Sequence, residues 1–285
     1  MALIPPFFAD CVVAIGTNDT KGNRYWIASG FFYGVPTSQR TRAEQVYLVT
    51  NRHVLADLDH AYLRCNPRAD DKYAREFQLT LFDGHKPLWF VHPDDDVDVA
   101  VVPIHFDVLI ESGMQVAYFH AEQHSATIDL LKSLGVTEGD FAYVLGFPMG
   151  LVGQHRNTVI VRSGTLARIR DALARASKIF LVDAFVFPGN SGGPVILKPE
   201  AIAIAGTQAQ TMPYLIGVVQ AYVPYDDVAY SAQTGRPRVV FEENTGLAAV
   251  HPVDYILETI TARRTPRLER CAPPQVSLRP PDVED

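Results

Sequence analysis

Residues 187–194 read Phe187-Pro188-Gly189-Asn190-Ser191-Gly192-Gly193-Pro194. Glycine tolerates positive φ and proline removes a backbone donor, so this stretch is neither a helix nor a strand interior. It reads as a tight loop whose closely spaced N–H groups point one way and whose serine is presented to a ligand. Such a nest stabilises an anion, including the negative charge that develops on an attacked carbonyl oxygen. Directly after it, Pro194-Val195-Ile196-Leu197 reads as a strand. A plain turn before that strand is the simpler reading of the same residues, and the rest of the chain decides between the two.

A serine nucleophile needs a base, and the base needs a carboxylate to orient it. Upstream, Val49-Thr50-Asn51-Arg52-His53-Val54-Leu55 reads as a strand end followed by a histidine in a short turn. Between the two motifs, Val97-Asp98-Val99-Ala100-Val101-Val102 is an aspartate opening an apolar strand. Asp98 is preceded by the acidic run Asp94-Asp95-Asp96, which makes Asp96 its rival. The chain order His53, Asp98, Ser191 differs from that of the α/β-hydrolases and subtilisins. In order and in local sequence the three motifs resemble the chymotrypsin clan of serine proteases. They are most similar to its bacterial Deg-type (high-temperature-requirement) branch, where an aspartate and an alanine precede the loop, as Asp183-Ala184 do here. The resemblance runs from about Cys11 to about Thr261.

Length and composition are compatible with this. The 285 residues suffice for one large or two small cores, and 47% hydrophobic with 20% charged residues describes an ordinary globular chain. The net charge of −7 argues against a primarily nucleic-acid-binding surface. No run approaches the ~20 apolar residues of a membrane span, so neither nucleic acid nor membrane is expected as a partner. The N-terminal Met1-Ala2-Leu3-Ile4-Pro5-Pro6-Phe7-Phe8 has no basic region and no long apolar core. Cys11, Cys65 and Cys271 are few and odd in number, so they form no disulfide framework. Both features favour a cytoplasmic location.

Short apolar runs punctuated by turns recur along the chain and indicate an all-β barrel or sandwich. Strands are expected at residues 11–16, 25–33, 45–50, 61–65, 76–82, 88–91 and 98–103. They resume at 141–147, 158–169, 178–184, 194–197 and 215–223. Between these groups Ile128, Leu131 and Leu134 recur at helical spacing, which predicts a linker helix over 121–135. Ile256, Leu257 and Ile260 mark a last helix. The stretch 224–246 reads as a polar insertion. The Arg- and Pro-rich residues 263–285 read as a disordered tail.

The resemblance implies two six-stranded antiparallel β-barrels with a C-terminal helix. Residues 1–120 would carry His53 and Asp98, and residues 136–262 would carry Ser191. It further implies a serine endopeptidase acting through an acyl-enzyme without a cofactor, on a protein or peptide substrate. The oxyanion hole would be the N–H groups of Gly189 and Ser191. Asn190 stands where clip-activated members carry an aspartate that pairs with the new N-terminus, so activation by clipping is not expected. The glycine-rich loop 146–153 resembles the substrate-gating region of Deg-type enzymes. No PDZ domain is expected after the last helix. Trypsin-type enzymes carry a carboxylate six residues before the nucleophile. Phe185 occupies that position here and either lines the specificity pocket or turns into the core. With Gln220, Ala221 and Tyr222 as the facing wall, cleavage after uncharged apolar residues is expected. The edge over 220–222 would bind substrate backbone by strand addition. The insertion 224–246 either gates this pocket or is a surface decoration. Other classes of reading are a protease fold used as a regulatory or binding module, and a protease active only with a regulatory protein partner.

Weaker clusters do not change this reading. His120 and His124 are four apart, but Ala121 stands where a zinc protease helix has its glutamate, so no metal is expected. His92 with Asp94 to Asp96 lacks the regular ligand spacing of a calcium loop. Arg162, Arg168, Arg170, Arg175 and Lys178 read as a solvated basic face.

Overall fold

The computed structural model describes residues 3–38, 41–68, 73–201, 204 and 209–266. The chain is mostly β and divides into two strand-rich halves, as a double barrel requires. In the first half, β1 (Val12–Asn18), β2 (Arg24–Ser38), β3 (Thr41–Thr50), β4 (His60–Pro67) and β5 (Ala100–Ile104) pair in the order β4-β1-β2-β3-β5. All four of these pairings are antiparallel. Strand Arg75–Thr80 adds to β4, and the two-residue strands Met114–Gln115 and Phe90–Val91 extend the two ends. Phe119–His120 runs parallel to β2.

In the second half six strands close on themselves. They are β6 (Phe141–Gly146), β7 (Ile160–Arg168), β8 (Phe180–Asp183), β9 (Pro194–Leu197), β10 (Tyr214–Tyr230) and β11 (Pro237–Pro252). Their order around the barrel is β6-β7-β8-β11-β10-β9. The expected closed six-stranded barrel is therefore present here. The first half is instead a curled sheet of nine strands whose end strands are not joined among the described residues. Residues 82–87 form a separate two-stranded ribbon outside the sheet, turning at Gly84-His85.

Apolar residues alternate inward along both halves and, among the described residues, build three large cores beside a small cluster of Leu181, Val223 and Ala249. Phe32, Leu48, Leu63, Trp89 and Val102 belong to the first, and Val144, Leu166, Val182, Ile216 and Val250 to the second. A third joins the halves, packing Phe31, Tyr47 and Val49 with Leu145, Phe147, Ile196 and Leu215. Ile256 and Ile260 of the last helix, Asp254–Ala262, are buried in this third cluster, which fixes the C-terminus against both halves. Cys11 and Cys65 are buried free thiols.

Three expectations are corrected. The linker is not one helix but two short ones, Ala121–His124 and Ile128–Ser133. Ser125 is extended between them, Ala126 N–H donates to the Leu215 carbonyl at 2.9 Å, and Thr127 caps the second helix. Ser and Thr favour caps over helix interiors because their oxygens compete for backbone donors. Second, the insertion 224–246 is not a loop. β10 and β11 continue past the barrel wall with paired register from Pro224↔Asn244 to Tyr230↔Pro237, forming a projecting β-hairpin arm. Third, the tail begins docked rather than free. Val91 N–H donates to the Arg264 carbonyl at 2.8 Å, and the Arg264 guanidinium lies 2.9 Å from an Asp95 oxygen. The remainder of that tail, from residue 267 and including Cys271, lies outside the described residues.

Candidate active site

Asn51 directly follows β3, and one helical turn, Arg52–Leu55, comes next. A first helical turn has backbone N–H groups without partners inside the helix. The His53 N–H finds one in Asp98, donating to Oδ1 at 3.1 Å, while the His53 ring Nδ1 lies 2.6 Å from Asp98 Oδ2. The same carboxylate thus holds both the backbone and the ring of the histidine. An acceptor at Nδ1 keeps the proton there and leaves Nε2 as the free basic nitrogen. Asp98 is buried and the His53 side chain is 24% exposed, so the ring is open to solvent while the carboxylate that holds it is enclosed. Asn51 does not cap its helix. Its amide instead donates to the Asp98 carbonyl at 2.7 Å.

Asp98 is also held from the second half. Its N–H donates to His251 Nε2 at 3.1 Å, and His251 Nδ1 lies 3.0 Å from the Lys178 carbonyl. An acceptor Nε2 and a donor Nδ1 define a neutral ring. Burial agrees, since it pushes the His251 pKa below the ordinary value against the opposing pull of the Lys178 hydrogen bond. The acidic run before Asp98 is tied down in the same direction. Lys178 Nζ lies 2.7 Å from Asp94 and 2.8 Å from Asp96, and His92 Nε2 lies 2.9 Å from Glu258. Asp96 therefore faces Lys178 on the surface rather than His53.

The loop around Ser191 is fastened to the first half through Ser29. The Ser29 N–H donates to the Ser191 carbonyl at 2.9 Å, and the Ser29 hydroxyl donates to the Gly189 carbonyl at 2.6 Å. That hydroxyl also accepts from Phe147 N–H at 2.9 Å, while Thr50 Oγ1 donates to the Ser29 carbonyl at 2.9 Å. Thr50 lies three residues before His53, so a short run of bonds joins the histidine segment to the serine loop. Ser29 and Thr50 are completely buried.

Glycine is required at two points of the loop. Gly189 has φ +100° and a Cβ there would lie 2.4 Å from the Phe147 carbonyl. Gly192 has φ +81° and a Cβ would lie 2.2 Å from Thr50 Oγ1. Both values are sterically closed to other residues. The Pro188 carbonyl accepts from Met149 N–H at 2.5 Å. In a trans peptide this turns the following Gly189 N–H the opposite way. Among the described residues, neither the Gly189 nor the Ser191 N–H has a hydrogen-bond partner. Asn190 is buried and closes the loop on itself, its Oδ1 accepting from Phe187 N–H at 3.0 Å. Its Nδ2 has no partner among the described residues.

Behind the loop, Gly192 N–H donates to the Val219 carbonyl and Val219 N–H to the Gly193 carbonyl, both at 2.9 Å. Gln220, Ala221 and Tyr222 follow on the β10 edge beside the loop. Gln220 is buried, with Oε1 unpartnered among the described residues, while Ala221 and Tyr222 are half-exposed. Phe185 is not in the core. It is 55% exposed, stacked on Phe187 with centroids 6.5 Å apart and packed against Gly246. Arg162 of the basic face lies over Phe187 at 5.3 Å. His120 and His124 form a local cluster with Glu44, the His120 Nδ1 lying 2.8 Å from Glu44 Oε2. Among the described residues, neither this cluster nor any other group of three or more His, Cys, Asp or Glu side chains is arranged to hold a metal ion.

Ser29, Thr50, Asn51 and His251 escaped the sequence reading. Ser29-Gly30 was legible only as part of a strand, and His251 lies 153 residues from the aspartate it touches. A family model described as the trypsin-like peptidase domain matches residues 28–202. No curated protein matches the chain.

Proposed function

The chain belongs to the trypsin-like peptidase family, and from that premise we propose that it is a serine endopeptidase with Ser191 as nucleophile. Ser191 Oγ attacks the carbonyl carbon of the scissile peptide bond while its proton passes to His53 Nε2. The carbonyl oxygen, now anionic, receives the free N–H groups of Gly189 and Ser191. As the tetrahedral intermediate collapses, His53 returns the proton to the departing amine and an acyl-ester remains on Ser191. Water then attacks the ester with His53 again as base, releasing the acid and restoring the serine. Asp98 holds the imidazole in the required tautomer and stabilises its charged form throughout.

The observation that carries this reading is the double hold of Asp98 on His53, at 2.6 and 3.1 Å, beside a loop whose Gly189 and Ser191 N–H groups have no partner among the described residues. The substrate backbone adds to the β10 edge at Gln220, Ala221 and Tyr222. No carboxylate stands at the Phe185 position, so the residue before the cut bond is uncharged and apolar. The resemblance to Deg-type enzymes extends this proposal to control by loop order rather than by clipping.

A peptide-library cleavage profile tests both parts. Purified wild-type protein is expected to cut after uncharged apolar residues, and Ser191→Ala to lose about 10⁶-fold in kcat, as removal of a serine nucleophile does elsewhere. Undiminished cleavage by Ser191→Ala would overturn the mechanism. A profile dominated by Arg and Lys before the cut would overturn the pocket assignment.

A further inference from the structure

The arm is the largest feature that this mechanism leaves unused. It continues two strands of the barrel and carries Tyr225, Tyr230, Val239, Val240 and Phe241 as exposed large apolar residues. Its base carries four exposed carboxylates in adjacent cross-strand positions: Asp226 opposite Glu242, Glu243 opposite Tyr225, and Asp227 opposite Phe241. Like charges directly opposite each other weaken a strand pair. None of the four has an ion-pair partner among the described residues. A cationic neighbour would relieve this repulsion.

The position of the arm identifies that neighbour. β10 pairs with β9 only over Tyr214–Val218, and the loop glycines take up Val219. From Gln220 to Tyr230 the same edge of β10 has no strand beside it among the described residues. The edge assigned above to substrate backbone therefore leads into the arm, past a register shift between Tyr222 and Pro224, where the proline offers no N–H. Two contacts hold the arm in line with the site. The Asn244 amide donates to the Val186 carbonyl at 2.6 Å, five residues before Ser191, and Gly246 packs against the Phe185 ring. Glu242 also accepts from the Tyr222 hydroxyl, so the acidic patch starts where the three-residue edge ends.

We propose that the arm is an extended substrate subsite: it pairs with the stretch of polypeptide on the N-terminal side of the cut bond and selects Lys or Arg there. This rests on the endopeptidase reading and names its substrate class, an unfolded or extended basic segment ending in an apolar residue at the cut. Strand direction requires that side. A substrate antiparallel to β10 runs toward its own N-terminus as β10 runs from Gln220 to Tyr230. A second copy suits the same surface less well, because a two-fold pairing with the edge fully overlapped would set the two acidic bases side by side.

The test separates binding from cleavage. Labelled peptides are made with one apolar cut sequence and an upstream extension of eight residues rich in Lys, in Ser or in Glu. Anisotropy with Ser191→Ala protein reads binding, and kcat/KM with wild type reads cleavage. The Lys extension is expected to bind about tenfold tighter than the Ser extension and to raise kcat/KM through KM, with the gain shrinking at high salt. The variant Asp226→Lys, Asp227→Lys, Glu243→Lys, which keeps the Glu242 partner of Tyr222, is expected to prefer the Glu extension and to cut the unextended peptide at the wild-type rate. Equal binding of the three extensions would overturn the proposal and leave the carboxylates as protection of a free edge. Dimerisation of the wild type through the arm, lost in the charge-reversed variant by sedimentation, would overturn it in favour of a second copy. If nothing is cut, the endopeptidase reading fails while the anisotropy still decides whether the arm binds basic segments.

Discussion

Ser29 uses its N–H, hydroxyl and carbonyl in four hydrogen bonds, three to the second half and one to Thr50. Replacing it by alanine leaves a buried Phe147 N–H without its acceptor and frees the Gly189 carbonyl, so the peptide beside the proposed oxyanion hole can turn. A buried donor stripped of its partner costs about 1–3 kcal/mol. Ser29→Ala is accordingly expected to lower kcat/KM about 10–100-fold, and an unchanged kcat/KM would remove Ser29 from the account. Asp98→Asn frees the tautomer of His53, and a loss near 10⁴ in kcat with KM little changed is expected. Equal losses in kcat and stability would point to a structural role alone. His251 sets a pH dependence. Its folded pKa lies below the ordinary value because the ring is buried, whereas the unfolded ring titrates near 6.5. Below that pH the unfolded chain takes up a proton that the folded site refuses, so stability is full above it and falls as the pH drops toward the folded value. Urea midpoints between pH 8 and 5 should decline for wild type, and the decline should be shallower in His251→Gln. Parallel curves would exclude His251 as the sensing group.

At the scale of elements, most strands were legible because their apolar residues alternate or run together between turn residues. Pro194–Leu197 and Ala100–Ile104 are short apolar runs, and both are strands. The arm was not legible, for a physical reason. Its β-forming Tyr225, Val228, Tyr230, Val239, Val240 and Phe241 fall in short groups broken by Asp, Glu, Arg and Pro, without a strict alternation, and neither face is covered by a core. Periodicity reports burial, so a strand pair exposed on both faces reads as a polar loop. The linker shows the converse. Ile128 and Leu131 are buried at helical spacing, but the caps at Ser125 and Thr127 divided the segment. Because the arm adds nothing to the barrel cores, replacing Asp226 to Glu243 by a short Gly/Ser turn should move Tm by less than about 4 °C. Hydrolysis of short peptides by that variant should stay at the wild-type rate. A large loss of stability would mean that the arm supports the barrel. Faster cutting of short peptides would mean that it closes over the site.

For the whole molecule, the serine loop and the aspartate loop each belong to one half and are held by the other. Ser29 and Thr50 of the first half fix Ser191, while His251 and Lys178 of the second fix the segment that ends in Asp98. The order of His53, Asp98 and Ser191 was readable because each sits in a local motif. The bonds across the halves were not, because residues 29 and 191 or 98 and 251 share no local pattern. With Cys11 and Cys65 buried as free thiols, and the Cys65 thiol pushed up to about 12 by that burial, neither is a ready thiolate. Activity is therefore expected to survive both reducing agents and chelators. A chelator-sensitive wild type rescued by added metal would contradict this. The central claim is that Ser191 is an activated nucleophile, and its most direct measurement is labelling of the folded protein by a fluorophosphonate probe followed by mass mapping. The account predicts one covalent adduct on Ser191, absent from Ser191→Ala and much slower in His53→Ala. A folded wild type that stays unlabelled, or that is labelled equally in Ser191→Ala, would contradict it.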